Sequence, residues 1–364
     1  MVGGNIGTLL AAELALENDV RLYTRYNTDN RVIEVFDQEE SIICESKLSV
    51  ITNDINEALE DADIVFCTLP SNAVPSIIKE IGEAIPEKAI LFFMPGTGGK
   101  EYISKALIKK NITIAGLQRV YSIARLKEKG KSVYMLGKKK KLYISTIPKS
   151  EEKKAISILE KLLKIPCNSV DNYLAVTLTP SNPILHTTRI YSILNKKKKL
   201  SKEVLFYEDW DANSARILFK CDNELQNICN SLKMLNLKEV VSLKEYYESE
   251  TEEQFIKKMK SIKSFKGIKM PLIKEGKYYC PDYDSRYFTE DFPYGLLIIK
   301  GFAEICNVNT PNIDKIIEWF QNIQNKDYLI DGKLKGRNLV ETGIPQNYGI
   351  NNIEDIYRFY GHNN

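Results

Sequence analysis

Two runs, Ile-Val-Phe-Cys-Thr-Leu at 64–69 and Ala-Ile-Leu-Phe-Phe-Met at 89–94, are apolar almost without a break. A strand with one wet face alternates polar and apolar residues, whereas a strand apolar throughout must be covered on both faces. Between the two runs lie Pro70 and a helix-forming stretch at 74–81, the crossover that neighbouring parallel strands require. Ahead of them, Thr-Leu-Leu-Ala-Ala-Glu-Leu-Ala-Leu-Glu-Asn at 8–18 is built from strong helix formers, and 20–23 reads as a short strand. The N-terminal half is therefore expected to be a doubly wound α/β domain. Further strands are expected at 112–115, 132–135 and 142–147, the last two flanking Gly137 and the lysine run 138–141 as a pair joined by a solvated turn.

Past about residue 174 strand-like runs nearly vanish. Helical periodicity dominates at 183–195, 209–235, 252–262, 293–306 and 313–323. The boundary is placed at Val170, giving an α/β domain at 1–170 and a helical domain at 171–364. A second lysine run, 196–199, closes the first of these helices, where cations favour the negative end of the helix dipole. With no internal repeat and no long linker, the domains are expected to pack together with the active site in the cleft between them.

Charge excludes some functions. The net charge of +3 is the small difference between 51 basic and 48 acidic side chains, which demands neither nucleic acid nor a membrane surface as partner. Seven cysteines without a Cys-x-x-Cys pair suit neither a disulfide framework nor a metal cluster, and a reducing cytoplasm fits them best. No leader-like opening and no run approaching about 18 apolar residues is present, so a cytosolic protein is expected.

The segment Val2-Gly3-Gly4-Asn5-Ile6-Gly7 precedes the first helix, where backbone N–H groups and the positive helix end can meet a pyrophosphate. In the dinucleotide-binding Gly-x-Gly-x-x-Gly frame, Gly4 permits close approach and Gly7 tight helix packing, but Val2 stands where the first glycine belongs. Only Met1 and Val2 precede the turn where an apolar strand is needed, so the native chain is expected to start upstream. About 20 residues on, where NAD-preferring folds place a carboxylate, stand Thr24 and Arg25. A guanidinium there pairs with a 2′-phosphate, which favours NADP over NAD. Pro70-Ser71-Asn72 and the turn at 95–99 follow strands at their C-terminal ends and are further candidates for the cofactor cleft.

Of two histidines, His362 lies beside the terminus, so imidazole chemistry falls to His186. In Thr179-Pro180-Ser181-Asn182-Pro183-Ile184-Leu185-His186, Asn182 is the expected N-cap and Pro183 the first helical residue. Farther on, Arg286-Tyr-Phe-Thr-Glu-Asp291-Phe-Pro-Tyr-Gly295 opens another helix. Arg286 can clamp a carboxylate by two parallel hydrogen bonds, and Asp291 can orient His186 or receive an ammonium; the bland alternative is a helix-capping cluster.

Together the glycine turn, the Asn182-Pro183-Ile184-Leu185-His186 motif and the Arg286–Gly295 motif resemble the octopine/nopaline (opine) dehydrogenases. The resemblance spans nearly the whole chain. It implies a Rossmann domain followed by an all-helical domain similar to the C-terminal part of 6-phosphogluconate dehydrogenase. It also implies NAD(P)H-dependent reductive condensation of an amino acid with a 2-oxo acid. By resemblance, His186 is the catalytic histidine, Arg286 the carboxylate-binding arginine and Asp291 its partner. Asn182 belongs to the same motif as a substrate-site candidate, and Gln118-Arg119 would line the oxo-acid pocket. Two rivals remain open: a 2-oxo acid or ketopantoate-type reductase of the same architecture, and a non-catalytic dinucleotide sensor. Oligomeric state is not fixed by any motif, a homodimer being one option.

Overall fold

The computed structural model describes residues 4–25, 30–196 and 199–361. The chain divides into two compact units, Met1–Thr177 and Leu178–Asn363.

The first unit opens with α1 (Asn5–Leu14), then β1 (Arg21–Tyr23), β2 (Val32–Phe36), β3 (Ile42–Lys47), β4 (Val50–Thr52) and α2 (Ile55–Leu59). The expected alternation follows: β5 (Ile64–Cys67), α3 (Val74–Ala84), β6 (Ile90–Phe93), α4 (Lys100–Ile103), α5 (Lys105–Ile108) and β7 (Thr113–Leu117). It continues with β8 (Ser122–Glu128), β9 (Ser132–Lys138), β10 (Leu142–Ile147), α6 (Glu152–Leu163), β11 (Cys167–Ser169) and α7 (Leu174–Thr177).

A five-stranded sheet runs β11-β10-β7-β6-β5, parallel from β5 to β7 and between β10 and β11, antiparallel where β7 meets β10. Every residue of β6 and β7 is buried, as runs covered on both faces require. A core cluster joins Leu9 and Leu10 of α1 to Phe66, Phe92 and Leu117, with the Phe66 and Phe92 rings stacked at 5.1 Å. β1 and β4 form a separate parallel pair, and a cavity of about 340 Å³ between β1 and β5 is lined by Val20, Arg21, Ile64 and Phe66.

The expected pairing of 132–135 with 142–147 does not form. β9 joins β8 and β2 in a four-stranded sheet, while β10 enters the five-stranded one. Burial explains the separation: β10 is buried at five of its six positions, whereas β9 fades into exposed residues at Gly137 and Lys138. α6, whose Ala155, Leu159 and Leu163 share one buried face, was not among the expected elements.

The second unit comprises α8 (Asn182–Leu194), α9 (Ala212–Ser231), α10 (Leu243–Tyr246) and α11 (Glu252–Ser261), then α12 (Arg286–Thr289), α13 (Leu297–Ile305), α14 (Pro311–Gln324) and α15 (Ile353–Tyr360). Two short ribbons, Leu272–Glu275 with Tyr278–Pro281 and Leu329–Ile330 with Lys333–Leu334, interrupt the helices. The helix expected at 293–306 is divided: Phe292–Leu296 is a wide π turn with Tyr294 off helical geometry (φ −113°, ψ 19°), and α13 follows. Among the described residues no helix is long and apolar enough to cross a membrane.

Candidate active site and cofactor turn

His186 lies in the second turn of α8. Ser181, not Asn182, holds the N-cap position, because its backbone is non-helical (φ −112°, ψ −118°) and Asn182 is already the first helical residue. Asn182 is exposed and Pro183 buried. A Cβ on Gly295 would come within 3.0 Å of Pro183, so the absence of a side chain there lets the π turn lie against the start of α8. Asp291 stands just ahead of that π turn, and its carboxylate caps no helix. Instead it accepts a hydrogen bond from His186 Nδ1 at 2.8 Å.

Both groups are buried, the histidine 9% and the aspartate 5% exposed, yet neither sits in hydrocarbon alone. With Asp291 accepting from Nδ1–H, the nitrogen left to exchange protons is Nε2, which faces Tyr207 Oη at 3.2 Å. The ring is edge-on to Phe206 (5.3 Å) and tilted against Tyr287 (4.5 Å). Burial pushes the Asp291 carboxyl above the usual carboxylate range, against the opposing pull of His186.

Arg286 opens α12, one turn before Asp291. Its Nε and Nη2 both donate to Oε2 of buried Glu290, at 2.9 and 2.7 Å, while the guanidinium side chain stays 61% exposed. One edge of the fork is thus fixed by Glu290, while the side chain as a whole remains open to solvent. Glu290 was not singled out from the sequence, although its i,i+4 spacing from Arg286 was there to be read. Tyr207 was also missed: it lies 21 residues from His186, in a stretch between helices with no motif of its own.

In the first unit, Gly4 is the N-cap of α1 with φ 122° and ψ 179°, a conformation open to glycine and strained for other residues. Gly3, like His362, lies outside the described residues. A cavity of about 330 Å³ is lined by Gly4, Thr8, Tyr23, Thr24, Arg25, Leu69, Pro70 and Lys129 among others. Of the described residues lining it none is acidic, and Arg25 and Lys129 are basic.

The remaining cofactor candidates divide. Asn5 Oδ1 accepts from Leu126 N at 2.9 Å and so anchors the turn to β8, Ile6 packs against the core, and Gly7 is buried within α1. Ser71 is buried and donates to the Thr97 carbonyl, joining the two turns that follow β5 and β6; Asn72 is exposed and does not line the cavity. Lys100, wholly buried, ties the same strand ends by donating to the Leu69 and Pro95 carbonyls at 2.9 Å each. Gln118, at the end of β7, is buried with its amide donating to the Ala175 carbonyl.

Two family models match: the alpha-helical domain of NAD/NADP octopine/nopaline dehydrogenase at residues 169–324, and the N-terminus of NAD-dependent glycerol-3-phosphate dehydrogenase at 1–113. The chain is 27% identical to tauropine dehydrogenase of Arabella iricolor, over 97% of this chain and 98% of the relative. It is 26% identical to octopine dehydrogenase of Pecten maximus, over 85% and 82%. A solved octopine dehydrogenase with NADH and L-arginine superposes with a TM-score of 0.84 at 25% identity, covering 98% of this chain and 96% of the other. A ketopantoate reductase shares the fold alone, at 14% identity and a TM-score of 0.56. The match of the helical-domain model, the tauropine dehydrogenase aligned over 98% of its length and the superposition on octopine dehydrogenase make this chain similar to the octopine/nopaline (opine) dehydrogenases.

Proposed function

We propose that this chain catalyses the NAD(P)H-dependent reductive condensation of an amino acid with a 2-oxo acid, acting as a dehydrogenase on the CH–NH bond of the product. The observation that carries this reading is the buried His186–Asp291 hydrogen bond at 2.8 Å with an exposed guanidinium, Arg286, five residues before the aspartate. A 2-oxo acid offers a carboxylate for that fork and a carbonyl oxygen that must be protonated before it can leave as water. Arg286 binds the carboxylate and orients the carbonyl. His186, its Nδ1 held by Asp291, supplies the proton on the Nε2 side as the amine adds and water departs. The amino acid's ammonium must lose a proton to become a nucleophile, and neutral His186 is the acceptor.

The dinucleotide fits the first unit on an observation of its own: a glycine at positive φ caps α1 beside a cavity whose described lining holds no carboxylate. Gly4 and the first N–H groups of α1 would hold the pyrophosphate, with Thr24 and Arg25 beside the adenine ribose. When bound, the reduced nicotinamide supplies the hydride that converts imine to amine. Arg25 and Lys129 favour a 2′-phosphate, and so NADPH over NADH.

The test is a matrix of amino acids against pyruvate, glyoxylate and 2-oxoglutarate with NADH and NADPH, read as loss of nicotinamide absorbance. Oxidation that needs amine and oxo acid together supports the reading. Oxidation by an oxo acid alone makes the protein a simple 2-oxo acid reductase, and cofactor binding without turnover on any pair makes it a sensor.

A further inference from the structure

His186 has no ring nitrogen to spare. Nδ1 is taken by Asp291 at 2.8 Å, and Nε2, the nitrogen assigned above to proton exchange, is faced by Tyr207 Oη at 3.2 Å. The three groups form one buried chain: carboxylate, imidazole and phenol, with Tyr207 only 6% exposed. While that contact stands, a proton leaving Nε2 has the phenol oxygen as its neighbour.

The fold holds Tyr207 in place from several sides. Arg189, one turn along α8 from His186, is itself buried and donates from Nε to the Phe206 carbonyl (3.1 Å) and from Nη2 to the Asp209 carbonyl (2.7 Å). The backbone on either side of Tyr207 is therefore clamped by the helix that carries the histidine. Burial lowers the pKa of the Arg189 guanidinium to about 10, and its Nη1 also donates to Ser214 Oγ at 2.8 Å. The Tyr207 ring stacks on Phe265 at 4.0 Å and meets Phe206 at 4.9 Å, which fixes the plane in which its hydroxyl points.

We propose that Tyr207 is a further catalytic residue, the group that passes the proton between His186 and the reacting oxygen. This inference rests on the role given to His186 under Proposed function. In the condensing direction the imidazolium Nε2–H bond breaks as Tyr207 Oη takes that proton. The Tyr207 O–H bond breaks as the carbinolamine oxygen takes its proton, and that oxygen leaves as water. His186 ends neutral, Tyr207 ends as the phenol it began as, and no electrons change hands. The reverse sequence removes a proton from the attacking amine.

The experiment is a cycle of His186→Ala, Tyr207→Phe and the double variant, with kcat, KM and cofactor binding measured for each. Tyr207→Phe keeps the stack on Phe265 and loses only the oxygen. Its kcat is expected to fall at least about tenfold, less than the hundredfold or more of a lost general acid–base, with melting temperature, cofactor binding and KM unchanged. In the His186→Ala background the same change is expected to cost less than about twofold, because groups acting in one chain are not additive. Wild-type kcat in Tyr207→Phe overturns the relay, and so does a full tenfold loss added on top of His186→Ala. Wild-type turnover in His186→Ala overturns instead the reading of the histidine on which the relay stands. If Tyr207→Phe melts early, Tyr207→His, which restores a polar ring atom at that place, must recover part of kcat; no recovery sinks the relay.

Discussion

The two units build their sites from different materials. The first makes its cavity from backbone and punctuation: a glycine at φ 122°, a helix start, and two turns tied by Ser71 and Lys100. The second makes its site from side chains in series, Asp291 to His186 to Tyr207, with Glu290 behind Arg286. A backbone cradle spreads recognition over several N–H groups, so no single side chain there carries much of it. A side-chain relay concentrates the chemistry in a few atoms. One substitution should therefore be severe in the helical unit and mild in the α/β unit.

The sharpest break is His186→Ala. We expect kcat to drop by at least about a hundredfold with dinucleotide affinity unchanged, on the scale of lost general acid–base catalysis. A retained rate would leave the helical unit without a chemical role. Next comes Arg286→Lys, which keeps the charge but loses the planar fork that Glu290 holds. The KM for the 2-oxo acid should rise about tenfold to a hundredfold, the range of a lost charge-assisted hydrogen bond, while the KM for the amino acid moves little. Equal rises in both constants would mean that the guanidinium supports the site as a whole and does not clamp one substrate.

In the cradle, Gly4→Ala is expected to be the most damaging single change. Among the described residues, its chain neighbours aside, no atom lies within 4 Å of the added Cβ, so the cost considered is backbone strain. An L-residue held at that φ and ψ costs of order 1–3 kcal/mol, which should weaken NADH and NADPH by similar factors of about ten. Titration of both dinucleotides by fluorescence separates this from a phosphate effect: unequal losses would show that Gly4 touches more than the shared pyrophosphate.

How far these parts could be read in advance follows the same division. The buried strands β5 and β6 were legible because continuous apolar runs have few other uses. The contact of His186 with Asp291 was legible because a chain with two histidines leaves little choice and an aspartate at a second helix start was there to orient the ring. What was hidden depended on partners distant in sequence. Nothing in 132–138 announces that it pairs in parallel with 32–36, about a hundred residues earlier, although its hairpin with 122–128 across Gly130 is local. Tyr207 was hidden for a like reason: its contact with His186 is set by Arg189 gripping the carbonyls of Phe206 and Asp209, bonds made by a backbone that carries no sequence signature. The N-cap at Ser181 in place of Asn182 is a one-residue shift in a run where both are good caps.

The mildest change should be Arg25→Ala. Arg25 is exposed and lines the cavity with Lys129, so water and salt screen its charge and a second cation remains after it is removed. The pyrophosphate contacts proposed for the backbone of α1 would be untouched, which should leave NADH binding near its starting value. A 2′-phosphate loses one partner of two, and NADPH should weaken about fivefold, the size of a partly screened charge-assisted contact. Measured as the ratio of the two dissociation constants, the substitution moves preference toward NADH without harming the cradle. If NADH and NADPH weaken together, Arg25 is holding the turn and not the phosphate. The α/β unit would then contain one side chain on which its whole site depends, as the helical unit does.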